Sequence, residues 1–344
     1  MDGAAQGIKT QNEKREVIGG AEIKLYLQQN GKVYLCAVKD DLTITRTPNE
    51  PSVLKCTILR DAITAENGNV LAFNLNGAHN QFYGYIFSTG KHGRYCDVVA
   101  YDQLIYMRKN KDTMTYSGIT ANELLLRIVD DYHLKTLNPP NIVNTEFKIP
   151  SRVEENVSLL DMMHKALQIT YENTGKKYLL WDDYGAITLF RDTQMLIVSN
   201  RISMGFIQNY SYNQSIEDLY NRVKLYKENP GGNRDYFIAE NKLNMSRYGF
   251  IQRFEKLEEG ENGHAKANQL LNQASDSTTF SISGAQGDIR VRGGSLIYVD
   301  FFGPDMAEYI RGWFRTLSVT HSFSGGTHLM DLDLECVFMD TTGW

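Results

Sequence analysis

The chain has 344 residues, a hydrophobic fraction of 42% and a formal net charge of −5, enough for two or three domains with sizeable cores. The balance of charge gives no sign of nucleic-acid recognition, and no stretch approaches the roughly 18 consecutive apolar residues of a membrane span. The polar N-terminus "MDGAAQGIKTQNEKREVIGG" lacks the apolar run of a signal peptide, and the four cysteines, Cys36, Cys56, Cys96 and Cys336, lie far apart without a CxxC pair. They read as small buried hydrophobes in strands, which fits a reducing cytoplasm.

Residues 1–20 carry no periodicity and are expected to form a flexible arm. "EIKLYLQQNGKVYLCAV" then gives two alternating runs around Asn30-Gly31, a pair that tolerates positive φ at both turn positions and marks a hairpin. "SVLKCTILRD", "NVLAFNLNG", "NQFYGYIFSTG" and "GRYCDVVAYD" follow at short spacing, so 21–105 reads as a first small β-barrel-like domain.

The period changes in the region 106–205, which reads as a helical α/β middle. "TANELLLRIVDDYHL" opens with Thr120 and Glu123 in a capping box and puts Leu124, Leu125, Ile128 and Val129 on one face. "SLLDMMHKALQITYENTG" starts at Ser158 and ends at Gly175, with Leu159, Met163, Ala166, Leu167 and Thr170 as its buried stripe. "KKYLLWDDYGAITLF" reads as a hairpin turning at Asp183-Tyr184-Gly185. In 206–344, strand patterns return in "IQNYSYN", "NRVKLYKE", "YFIAE", "TTFSISG", "GDIRVRGGSLIYVDFF", "WFRTLSVTHSF" and "THLMDLDLECVF". One inserted helix is expected at 261–277, with Ala265, Leu270 and Leu271 inward. This stretch reads as a second β-barrel-like domain, and the chain as α+β and β-rich.

Candidate chemistry concentrates in "VTHSFSGGTHLMDLDLE". His321, His328, Asp331, Asp333 and Glu335 are all possible metal ligands. Pairing across the turn at 324–327 sets Phe323 opposite His328 and His321 opposite Met330. With period 2 the histidines share a face with Val319, Leu332 and Leu334, and the three acids take the other. They cannot converge on one ion without a bulge, so a plain hairpin is expected. "GYIFSTGKH" has the wrong spacing for a phosphate loop and sits inside a strand pattern. Asp130-Asp131 and Asp182-Asp183 read as solvated acids at a helix end and a turn. His133, His164 and His264 have no spaced partners, and no nucleophile motif appears. No catalytic residue, metal or cofactor is therefore expected. In "GAQGDIRVRGGSLIYVDF", Asp288, Arg290 and Arg292 alternate onto one face of an expected strand. Opposite charges in register suit a subunit interface that fixes orientation; an ordinary solvated face is the alternative.

Several segments together, "YDQLIYMRKNKDT", "ITANELLLRIVDDYHL", "FKIPSRVEENVSLLDMMHKAL", "TGKKYLLWDDYGAITL", "DLYNRVKLY", "GHAKANQLLNQ", "GAQGDIRVRGGS" and "VTHSFSGGTHLMDLDL", resemble in order and spacing the XkdQ/YqbQ-type baseplate hub proteins of contractile phage tails and phage-tail-like particles. The resemblance runs over roughly 21–338. It implies two barrel-like domains per chain and a homotrimeric ring that mates a six-fold tail tube to a three-fold central spike. The implied partners are the tail tube protein, the spike, and baseplate wedge and LysM-like tail proteins. The implied place is the tail baseplate of a virion or tail-like particle, assembled in the bacterial cytoplasm. Two other readings stand beside it. One is a tail-tip cell-wall hydrolase, for which little chain remains beyond the last strand. The other is a saccharide-binding tail module, suggested by the 20 tyrosines.

Overall fold

The computed structural model of the chain describes residues 22–39, 41–60, 63–76, 79–202, 207–229, 231–257, 261–274, 277–301 and 310–339; the arm expected at 1–20 lies outside them. The first β-rich stretch forms β1 (Ile23–Gln29), β2 (Lys32–Cys36), β3 (Leu42–Arg46), β4 (Val53–Leu59), β5 (Val70–Leu75), β6 (His79–His92) and β7 (Tyr95–Tyr101). Asn30 and Gly31 turn the first hairpin with φ of 51° and 73°, the mirror-image turn that matches strand twist.

The middle holds α1 (Leu104–Lys109), β8 (Lys111–Tyr116), α2 (Ala121–Asp131), β9 (Arg152–Ser158), α3 (Leu159–Thr174), β10 (Tyr178–Asp182), β11 (Ile187–Arg191) and β12 (Leu196–Ile202). Helix α2 starts where Thr120 Oγ1 accepts from the Glu123 amide and the Thr120 amide donates to Glu123 Oε2 at 2.8 Å, the reciprocal capping box. Helix α3 starts at Ser158, whose Oγ accepts from the Asp161 amide at 3.1 Å, and stops at Gly175 with φ 70°. The anticipated apolar stripes of both helices are buried in one cluster with Met114, Tyr178, Leu180 and Leu189.

The last part comprises β13 (Asn209–Ser215), β14 (Arg222–Glu228), β15 (Arg234–Glu240), α4 (Lys242–Tyr248), β16 (Gln252–Lys256), α5 (Gly263–Gln273), β17 (Ser277–Gln286), β18 (Leu296–Phe301), β19 (Ile310–Ser324) and β20 (Thr327–Met339). Helix α4 escaped the sequence pattern because it buries no residue and so has no apolar stripe. In α5, Leu270 is buried as expected but Ala265 is exposed. Lys266 is buried instead, its ammonium 2.9 Å from Glu261 and 3.6 Å from Glu172, and this pairing lets a charged residue occupy the inner face. Strands β15-β14-β16 form a separate small sheet that, with α5, encloses its own core of Val223, Leu225, Ala267 and Leu270.

In the first stretch the chain just after β2 pairs back onto the end of β4, with Val38 opposite Ile58 and the Lys39 amide donating to the Thr57 carbonyl at 2.8 Å, so these strands curl round their own core. With the last stretch they join in one thirteen-stranded sheet whose main path runs β13-β17-β20-β19-β3-β4-β7-β6-β5-β1-β2, with β18 beside β19 and β12 parallel to β18. The β-rich α+β class holds, and no closed barrel is found among the described residues. Two cores lie along this sheet. One gathers Leu25, Leu27, Ile44, Leu54, Phe73 and Phe82 from the first stretch; the other gathers Phe280, Phe301, Phe314, Val319, Met330 and Leu332 from the last. The seam is the antiparallel β3–β19 pair, with Phe323 opposite Leu42 and Val319 opposite Arg46. Strand β19 bridges both cores. Val319 belongs to the second, while Phe323, 1% exposed, enters the first and meets Phe73 edge-on at 5.0 Å.

Truncating Phe323 therefore opens a cavity in a core built from the other end of the chain. Phe323→Ala is expected to cost about 3–5 kcal/mol in chemical denaturation. Phe338→Ala, on the same sheet but 62% exposed, should stay within about 0.5 kcal/mol of the parent.

Candidate functional site at the junction of the two cores

The stretch 287–295 is not the strand that its alternation suggested. Val291 donates to the Asp288 carbonyl at 3.1 Å and Ser295 to the Arg292 carbonyl at 3.0 Å, making successive turns before β18, while the Gly287 and Gly294 amides donate to the His328 and Thr316 carbonyls at 2.9 and 2.7 Å. Glycines permit the path. A Cβ on Gly287 would lie 2.1 Å from the His328 ring, and one on Gly293 would lie 2.5 Å from the Pro48 nitrogen. Alternation could not reveal this, since a loop whose side chains point alternately to different neighbours gives the same pattern as a strand.

Asp288, Arg290 and Arg292 consequently do not share one face. Asp288 Oδ1 accepts from the Arg290 amide at 2.9 Å and Nε at 3.0 Å, and Oδ2 accepts from Nη2 at 2.6 Å, so these two form a closed pair on the surface. Arg292 turns inward, its guanidinium 5.1 Å from the Trp181 ring centroid and 3.6 Å from Asp183. Between them, Ile289 packs on the first core and Val291 is buried in the second. Five consecutive residues thus touch both cores and the β10–β11 hairpin of the middle region.

The histidine hairpin supplies the other wall. Its register is the one anticipated, His321 opposite Met330 and Phe323 opposite His328. Asp331 and Asp333 take the opposite face. Asp331 accepts from the Gly284 amide at 2.8 Å, and Asp333 accepts from the Ser281 and Ser318 hydroxyls at 2.8 Å each. A bulge does occur, between Thr316 and Ser318, but it precedes the segment and leaves its faces unmixed. His321 Nε2 lies 2.9 Å from the Val291 carbonyl oxygen and therefore carries the proton; Nδ1 then accepts from His328 Nε2 at 2.9 Å. Both rings are neutral. Burial and the nearby Arg46 charge hold His321 well below the ordinary histidine range, and burial brings His328 down to about 4.

Beneath the loop lies a buried polar group that the sequence reading passed over. Arg46 is 5% exposed and donates to the Gln81 carbonyl. Asp102 accepts from the Ser52 amide at 2.8 Å and the Leu104 amide at 3.0 Å, tying β4 to the start of α1. Gln103 donates to the carbonyls of Lys135 at 3.0 Å and Gly185 at 2.8 Å, fastening the middle region to the end of β7. Asp182, expected in solvent, is buried because its hairpin folds onto these residues. Oδ1 accepts from the Gly185 amide at 2.6 Å, and Oδ2 has no hydrogen-bond partner. Burial raises the carboxyls of both Asp102 and Asp182 above the usual range. Both are buried, and Asp102 is committed to backbone amides, so the pair does not match the facing carboxylates of a glycosidase. Among the described residues no three of His, Cys, Asp or Glu are arranged to hold a metal ion.

The other sequence candidates are scattered. The "GYIFSTGKH" stretch is interior to β6, where a Cβ on Gly84 would lie 2.2 Å from the Tyr101 carbonyl oxygen. Asp131 ends α2 beside Arg127 at 3.6 Å. His164 bonds the Asn49 carbonyl at 2.7 Å, and His264 packs edge-on to Phe237 at 5.1 Å. Cys36, Cys56 and Cys96 are buried free thiols, and Cys336 is half-buried. Arg46, Asp102 and Gln103 gave one faint signal, polar residues at strand ends. Only the approach of distant segments shows what they bond.

A histidine whose pKa is depressed by folding binds more protons unfolded than folded between the two values, so stability is lost as pH falls through that window. For His328, moving from 6.5 to about 4, the full linkage is about 3 kcal/mol. His328→Gln should make the decline between pH 6.5 and 4 clearly shallower in urea titrations at fixed pH steps.

Residues 43–335 match the family model described as YQBQ-like. Over 281 residues the chain is 29% identical to the uncharacterized protein YqbQ of Bacillus subtilis (strain 168), covering 79% of this chain and 82% of that one. Over 285 residues it is 25% identical to the phage-like element PBSX protein XkdQ of the same organism, with the same coverage. The fold is similar to the 43 kDa tail protein of prophage MuSo2 from Shewanella oneidensis, with TM-score 0.63 and 11% identity over 90% of this chain and 98% of that one. It is also similar to the E. coli c3393 protein, a type VI secretion component described as resembling T4 tail proteins gp27 and gp5; the TM-score is 0.56 and the identity 11%, over 92% and 78% of the two chains. With the family model spanning most of its length, the chain belongs to the YQBQ-like family.

Proposed function

We propose that this chain is a structural baseplate hub subunit of a phage-like tail, three copies of which form a ring between a six-fold tail tube and a three-fold central spike. The observation that carries the reading is the pairing of two β cores in one chain along a single sheet. Three chains then present six β units, which offers six-fold contacts on one side and three-fold contacts on the other. The units at 21–105 and 206–344 would take these positions, with the middle region at their flank. Likeness to tail proteins and to a type VI component supports the same reading. Tail tube, spike, baseplate wedge and LysM-like proteins are the proposed partners, in a particle assembled in the bacterial cytoplasm. The role is mechanical, without turnover; the junction at 287–295 would hold the two units of each chain at a fixed angle. No helix among the described residues is long and apolar enough to cross a membrane.

Of the three interface candidates, Arg290 is the exposed one, with a mostly covered Asp288 as its partner; Arg292 faces inward. Arg290→Glu places two acids together and is expected to weaken assembly by about 2 kcal/mol, roughly 30-fold, while the monomer stays folded by circular dichroism. Arg292→Glu, set against Asp183, should instead lower the denaturation midpoint. Light scattering after size exclusion, alone and with tube or spike present, and electron microscopy of the particles give the test. Three-fold rings are expected; a six-fold ring of identical chains would overturn the hub reading, since six chains need only one β unit each.

A further inference from the structure

The outer face of the first β unit carries a groove lined by three tyrosines. Cross-strand register puts Tyr26 beside Ala72 and Ala72 beside Tyr83, with Gln28 beside Val70, so β1, β5 and β6 lay these side chains in rows. Val33 of β2, 64% exposed, borders one side. Tyr184, at the tip of the β10–β11 hairpin, forms the other. Its ring meets Tyr83 at 5.6 Å and 62°, and its hydroxyl donates to Asn74 Oδ1 at 3.4 Å. Together these residues line a groove of about 390 Å³.

Two observations single this groove out. Tyr184 has φ 51°, followed by Gly185 at 90°. That turn position favours Asn or Gly and is unfavourable for a bulky ring. The tyrosine is therefore placed there against the local preference of the backbone, and what it adds is a wall over Tyr83. Second, no Asp, Glu, Lys, Arg or His lines the groove. Its polar groups are the amides of Gln28 and Asn74 and phenolic hydroxyls, and its remaining surface is aromatic or aliphatic. A concavity of about this volume falls in the range of small-ligand sites. Rings that stack on apolar C–H faces, beside neutral groups that exchange hydrogen bonds with hydroxyls, match a sugar.

We propose that this groove binds a neutral oligosaccharide, with Tyr83 and Tyr184 stacking on sugar rings and Gln28 and Asn74 pairing with hydroxyl or acetamido groups. The test is titration of the full chain with chitotetraose and cellotetraose, followed by tyrosine fluorescence and by saturation transfer from protein to sugar protons. Tyr184→Asn suits the turn and removes the ring, so it should keep the fold while weakening binding at least tenfold. Tyr83→Ala should do the same, and Tyr236→Ala, which removes an exposed ring elsewhere, should not. Absence of binding to either sugar by the parent chain, or equal binding by the parent and Tyr184→Asn, would overturn the proposal. So would a change in oligomeric mass in Tyr184→Asn without loss of sugar binding, which would make the groove a contact between copies.

Discussion

The antiparallel pairing of β3 with β19 is the constraint on which the rest of the architecture depends. These strands lie more than 260 residues apart, yet their ladder makes one sheet of two β-rich stretches. The hydrogen bonds of the seam are individually modest, of order 1 kcal/mol net each. What makes the pairing specific is period 2: the register that sets Phe323 opposite Leu42 also delivers Val319 to the second core. A slip of one residue would move both side chains to the polar face. Each core is thus a check on the alignment of the other.

The loop at 287–295 fixes the third body to this seam. Ile289 and Val291 are anchored in separate cores, and Arg292 spans to Trp181 and Asp183 of the middle region. The buried polar residues below it, Arg46, Asp102, Gln103 and Asp182, are costly to desolvate, and replacing such a group by apolar side chains is often neutral or stabilising. Their value here is directional. Asp102 and Gln103 bond backbone groups of segments that packing alone could place at several angles. In the proposed hub role, which needs two units at a set spacing, fixed orientation matters more than an extra increment of stability. The His321–His328 pair contributes in the same way, since its neutral tautomers are set by the Val291 carbonyl.

The small sheet β14–β16 stands apart from this scheme. It has its own core and meets the middle region through α5, where Lys266 reaches Glu172 on α3. Its outer face leaves Tyr236, Ile238, Phe250 and Phe254 largely exposed, with Lys224 over the Tyr236 ring at 4.2 Å. The groove around Tyr184 differs in kind: it forms only where a hairpin of the middle region closes over the first β unit, so it depends on the same junction that orients the cores.

Local order was legible in the residues themselves. The Asn30-Gly31 turn, the caps at Thr120 and Ser158, the Gly175 stop and the register of the 319–335 hairpin depend on groups within a few positions of one another, and short-range chemistry determines them. The opposed faces of histidines and acids followed from period 2 alone. Tertiary structure decided everything that required distant segments to meet. It turned the alternation of Asp288, Arg290 and Arg292 into a loop whose side chains answer to three different neighbours. It buried Asp182, and exchanged Ala265 for a paired Lys266 on the inner face of α5. It also joined the two β-rich stretches in one sheet through β3 and β19. The strand patterns recorded which face of each strand is apolar but not which edge meets which, and a period-2 pattern reads the same whether a sheet closes on itself or pairs with a strand from the far end of the chain.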